Sequence, residues 1–96
     1  MKYSHRTSLP VARVLDAARA FFGGRLAPAE ETPRRRVYSG PLGRVAISAR
    51  AEGGHYTLVE VSTDQVGEAE LDRLAKRFLA EVHGAVHAGR ALRSAY

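Results

Sequence analysis

His83 and His87 stand four residues apart in His-Gly-Ala-Val-His, a spacing that puts two imidazoles on one face of a helix, as a zinc site requires. The zinc-protease pattern also needs a glutamate directly after the first histidine, to activate the metal-bound water, and here that position is Gly84. A third ligand has to come from His5, His55 or a distant carboxylate. The expectation is no metal: two solvated basic residues at a helix C-terminus, where the helix dipole favours positive charge. Glu30 and Glu31 are adjacent, whereas a working carboxylate pair needs a defined separation and unequal environments. Between Pro28 and Pro33 they read as solvated loop residues. There is no Gly-x-Ser-x-Gly elbow, no phosphate-binding glycine loop before a helix, and no pattern that pairs a serine with a histidine base. The chain reads as non-catalytic, with no cofactor.

Arg34-Arg35-Arg36 is the densest charge run. In a strand Arg34 and Arg36 share one face and Arg35 takes the other. With Tyr38, Arg50 and Tyr56 beside them, the outer arginines suit a phosphate backbone with stacked bases. The plainer alternative is a solvated sheet face with arginine stems lying over tyrosine rings.

Those residues depend on the elements that carry them. From about Gly67 to Ala88, Leu71, Leu74, Ala75, Phe78, Leu79, Val82, Ala85 and Val86 recur at three- and four-residue steps, one apolar stripe of a long helix. Glu68, Glu70 and Asp72 open it, and His83, His87 and Arg90 close it, which complements the dipole. The glycines at 84 and 89 predict fraying between Ala88 and Ser94, with Leu92 and Tyr96 retaining some packing. Near the N-terminus, Tyr3 to Leu9 alternates as an edge strand with Tyr3, His5, Thr7 and Leu9 on one side. Pro10 suits the first turn of a short helix, with Ser8 before it as a cap. Val11, Val14, Leu15, Ala18, Phe21 and Phe22 form its stripe, and Gly23-Gly24 ends it.

Residues 25–33 read as a loop, Arg34 to Ser39 as a strand, and Gly40-Pro41-Leu42-Gly43 as a turn. Arg44 to Ala51 and His55 to Thr63 make a hairpin. A three-residue loop, Glu52 to Gly54, pairs Ile47 with Val59, Val45 with Val61 and Ala49 with Thr57, which gathers the β-branched side chains on one face. The same logic puts Val37 on the core face. The open face then carries Arg34, Arg36, Tyr38, Ser48, Arg50, Tyr56, Leu58 and Glu60. The predicted fold is α+β, in the order β-α-β-β-β-α: a four-stranded antiparallel sheet with both helices on one face.

Ninety-six residues suit one domain spanning 1–96. Nothing resembles a signal peptide, and no apolar run approaches the roughly 20 residues of a membrane helix. Cysteine is absent, so disulfides and thiolate chemistry are excluded. The expectation is a cytoplasmic protein. Its 13 arginines against 2 lysines, its 16 alanines and its lack of asparagine fit a GC-rich bacterial coding sequence. The formal charge of +5 therefore points only partly to a polyanionic partner.

The order helix–three strands–helix resembles the double-stranded RNA-binding domain, with Gly40-Pro41 near that family's own Gly-Pro. Where that family places RNA-contacting lysines, Gly67 to Asp72 here is acidic. With the first strand counted, residues 7–22 and 44–86 resemble a shortened helix-grip domain of the START and polyketide-cyclase kind. That likeness implies an apolar ligand site under the long helix or between two subunits. The leading expectation is a small binding or assembly module, homodimeric through an open sheet face bearing Tyr38, Arg50, Tyr56 and Leu58. Next stands a nucleic-acid binder using Arg34, Arg36, Arg50 and the two tyrosines, and third a carrier of small apolar ligands.

Overall fold

Two helices lie on one face of a five-stranded sheet in the computed structural model, which describes residues 1–94, with side chains through Val86. The elements are β1 (Lys2–Thr7), α1 (Val11–Phe22), β2 (Ala27–Thr32), β3 (Arg35–Gly40), β4 (Gly43–Glu52), β5 (Tyr56–Thr63) and α2 (Glu70–Ser94). The sheet is antiparallel throughout, in the order β1-β5-β4-β3-β2. α1 lies over β3 and β4, and α2 mainly over β1 and β5. Among the described residues no helix is long and apolar enough to cross a membrane.

Both helices form where the apolar stripes place them. Val14, Leu15, Ala18, Phe21 and Phe22 of α1 are buried, and so are Leu71, Ala75, Phe78 and Val82 of α2. Phe22 is the hub: its ring centroid lies 4.9 Å from Phe21, 5.4 Å from Phe78 and 6.1 Å from Tyr38. Full burial of a side chain of this kind contributes about 1.5–3 kcal/mol. Pro10 is the N-cap of α1 and does not lie within its first turn, so the helix starts later than expected: the Pro10 ψ of 153° is extended, and its carbonyl accepts the Val14 N–H at 3.1 Å. No side chain caps that end, so Ser8 does not fill the role. α2 starts at Glu70 and runs through Gly84. The backbone is helical through Ser94, across the stretch from Ala88 to Ser94 where fraying is expected, whereas the packing expected of Leu92 and Tyr96 lies outside the described residues.

Three expectations about the sheet are corrected. The sheet has five strands, because residues 27–32, read as loop, form the edge strand β2. All six of its residues are exposed, so it carries no apolar alternation, and an edge is where a strand tolerates Pro28. A bulge between Pro28 and Glu30 further breaks its period.

The β4–β5 loop is three residues long, as expected, but it is Gly53 to His55, with Glu52 opposite Tyr56. Ile47 therefore faces Val61, Val45 faces Thr63, and Ala49 faces Val59. A shift of two residues preserves which side chains face the core, so hydrophobic pattern cannot distinguish the two registers. The turn decides: Gly53 and Gly54, both with positive φ (64° and 75°), occupy the first two loop positions.

The third correction turns β3 over. Its turn to β4 holds only Pro41 and Leu42, with Gly40 opposite Gly43, which aligns Tyr38 with Val45 and Val37 with Ala46. Cross-strand partners share a face, and Val45 faces the helices. Tyr38 and Arg36 are thus on the helix side, and Val37 is on the other.

Candidate functional site

The six residues expected to form one binding surface are divided by that reversal. Arg50, Tyr56 and Leu58 do share the open face: Arg50 is directly opposite Leu58, and Tyr56, 56% exposed, follows at the hairpin end. Tyr38 is fully buried, its ring stacked on Phe22 at 22° between planes. Burial pushes its phenol upward, with the Glu31 carboxylate adding to the shift. Arg36 donates through Nη1 to the Thr32 carbonyl, and its Nε is buried without a hydrogen-bond partner. Arg34 is exposed in the β2–β3 turn, where its N–H donates to Thr32 Oγ1 at 3.3 Å.

The open face is not the basic sheet expected. Lys2 pairs with Glu60 at 3.0 Å, Arg6 with Glu52 at 2.7 Å and Arg35 with Glu30 at 3.5 Å. The Arg6 hydrogen bond holds the Glu52 carboxyl below its ordinary range. Glu31, across the strand pair from Arg36, lies 3.8 Å from Arg19. Neither glutamate of the Glu30-Glu31 pair stands beside the other as an acid/base couple; each faces a different arginine.

His83 meets His5 rather than solvent alone. The two rings are edge to face, with centroids 5.7 Å apart. Burial, and secondly the His83 charge, lower the His5 imidazole from its ordinary value. The side chain of His87 lies outside the described residues. Among those residues no three metal-ligating side chains cluster.

A concavity lies elsewhere, between the helices. A groove of about 420 Å³ runs between α1 and α2, floored by Phe21, Phe78 and Val82 and rimmed by Ala17, Ala20 and Ala85. Leu9 and Glu81 complete one end, and Arg25 stands at another part of the wall. A second depression of about 440 Å³ shares Arg25 and adds Leu42, Glu70, Arg73, Leu74 and Arg77. The local sequence explains both. α1 ends at Gly23, whose N–H donates to the Arg19 carbonyl, and the Arg25 and Leu26 N–H groups turn back onto the Phe22 carbonyl at 3.0 and 2.8 Å. That turn lays the Arg25 guanidinium over the Phe21 ring, 4.4 Å from its centroid, while Nη1 donates to the Phe21 carbonyl at 2.5 Å. Arg77 of α2 approaches the same ring at 6.0 Å.

Compared with known proteins, the chain matches no family model, no curated protein and no solved structure. The groove was missed in the sequence because its two walls are separated by some fifty residues. The available signal was the alanine at positions 17, 20 and 85 on the flanks of two apolar stripes, small where a helix pair in close contact would interlock larger side chains.

Proposed function

We propose that this chain is a small non-catalytic binding module whose ligand lies in the groove between α1 and α2. The observation that carries this reading is the groove: about 420 Å³, apolar on its floor, and polar only where Arg25 and Glu81 reach it. Small-molecule sites typically have about 300–1,000 Å³, mostly apolar walls and a few placed polar groups. The reading is nearest to the small apolar ligand carrier expected from the helix-grip likeness. The order of a strand, a short helix, an antiparallel meander and a long helix is compatible with that family. The site differs in lying between the helices.

The test uses N-phenyl-1-naphthylamine, an uncharged probe that brightens on entering an apolar site. The expected result is saturable enhancement with the native chain and its loss in Ala20→Trp and in Ala85→Trp. Both positions are exposed, so the new indoles fill the groove and leave the core alone. Equal enhancement in all three proteins overturns the reading.

A homodimer through the open sheet face remains a second reading, supported by Tyr56 next to Leu58 and Arg50. Three ion pairs already lace that face, which leaves little apolar surface for a partner to bury. A monomer by light scattering at high micromolar concentration removes it. The nucleic-acid reading has lost Tyr38 and Arg36 from its surface.

A further inference from the structure

We infer that the ligand of the interhelical groove is a single-chain amphiphile with a carboxylate head, its chain on Phe21, Phe78 and Val82 and its head on Arg73 and Arg77. This rests on the binding-groove reading above and adds the ligand's charge. Arg25 lines both the apolar groove and the second depression, and Arg77 of the second lies 6.0 Å from the ring of Phe21 in the first, so the two are neighbours around Phe21. The second depression brings three guanidiniums, Arg25, Arg73 and Arg77, against one carboxylate, Glu70. Among the described residues the ion pairs are those of Lys2, Arg6, Arg19 and Arg35. Among the described residues, none of the three arginines of the second depression has a carboxylate within pairing distance.

The arrangement around Phe21 makes the head-group end specific. Arg25 is fixed by its hydrogen bond to the Phe21 carbonyl and by lying on the ring, and Arg77 approaches the same ring. Arg73 and Arg77, four apart on α2, project side by side. A planar guanidinium matches a carboxylate in two parallel N–H···O bonds, which a point charge does not reproduce. Glu70 offsets one of the three positive charges, and the positive excess that remains attracts an anionic head. Leu42 and Leu74 line the same depression and keep its floor apolar near the head.

Three ten-carbon probes that differ only in the head test this: decanoate, decan-1-ol and decyltrimethylammonium, each competing against N-phenyl-1-naphthylamine. Decanoate is expected to bind about tenfold more tightly than decanol at about 50 mM salt, with the cation weakest, and the gap should narrow as salt rises. Arg73→Gln with Arg77→Gln is expected to abolish the preference while decanol still binds. Arg73→Gln alone, at a residue without a ring contact to Phe21, should remove part of it and guards against a folding defect in the double variant. Equal affinity for decanoate and decanol overturns the carboxylate inference and leaves the groove. No binding of either overturns both. Flotation with phosphatidylglycerol vesicles separates a free ligand from a lipid surface. Vesicle binding that survives Ala20→Trp, with no decanoate preference in solution, overturns the inference in favour of surface electrostatics.

Discussion

The Tyr3 hydroxyl donates a hydrogen bond of 2.8 Å to Oδ1 of Asp72, joining the first strand to the first turn of the last helix across 69 residues. Thr63 of β5 donates to the same oxygen at 2.9 Å. Asp72 is fully buried, and its Oδ2 has no hydrogen-bond partner. Three elements thus converge on one carboxylate.

Asp72→Ala is therefore expected to cost about 1–3 kcal/mol by chemical denaturation, since it removes the acceptor of two part-buried hydroxyl donors. Asp72→Asn keeps an acceptor of the same shape and removes a buried charge, so it should cost less than the alanine change. Equal losses in the two variants would show that the hydrogen bonds contribute nothing beyond packing.

Tyr38 presents the opposite case. Its hydroxyl is buried with no hydrogen-bond partner, while its ring stacks on Phe22. Tyr38→Phe keeps the stack and removes the stranded hydroxyl, so stability should be unchanged or rise by about 1 kcal/mol. A loss larger than that would reveal a partner for the hydroxyl.

Gly43 tests the turn that reverses β3. Its φ is 125°, and an added Cβ would lie 2.6 Å from Asp64 Oδ1 and 2.8 Å from Gln65 Nε2. The same Asp64 oxygen accepts the Arg44 N–H at 3.0 Å, the bond chiefly responsible for holding that carboxyl below its ordinary range. Gly43→Ala should cost about 1–3 kcal/mol, with amide exchange in β3 and β4 accelerated more than in β1. An unaltered melting curve would contradict this turn geometry.

The His5–His83 contact predicts a pH dependence. His5 is lowered in the folded state, first by burial and then by the His83 charge. The unfolded chain therefore binds the proton more readily, and folding is favoured at the higher pH. Stability contributed by neutral His5 is present above its unfolded value of about 6.5 and is lost as the pH falls through the range below it. Between about pH 8 and pH 5 the melting temperature should fall by about 2–4 °C more in the native chain than in His5→Gln. Parallel profiles would remove His5 as the cause.

The sequence by itself determined the two helices, because a 3.6-residue stripe such as Leu71, Ala75, Phe78 and Val82 has one way to bury itself. It also determined the core face of the central hairpin, since Val45, Ile47, Val59 and Val61 recur at every second position, with Arg44, Ser48, Glu60 and Ser62 among the residues between and beside them. Tertiary structure alone decided the rest. β2 is fully exposed, and its strand character comes from the hydrogen-bonding edge β3 offers it, which no periodicity records. Tyr38 and Arg36 changed faces because one residue more or fewer in a turn inverts every side chain after it, and composition does not count turn residues. In the sequence Asp72 is an acidic residue that complements the helix dipole, and only the fold buries it and gives it Tyr3 and Thr63 as donors. The groove exists only because the sheet fixes the separation of α1 and α2. Alanines distant along the chain then line a common space, and Arg25, Arg73 and Arg77 line a second depression that shares Arg25 with it.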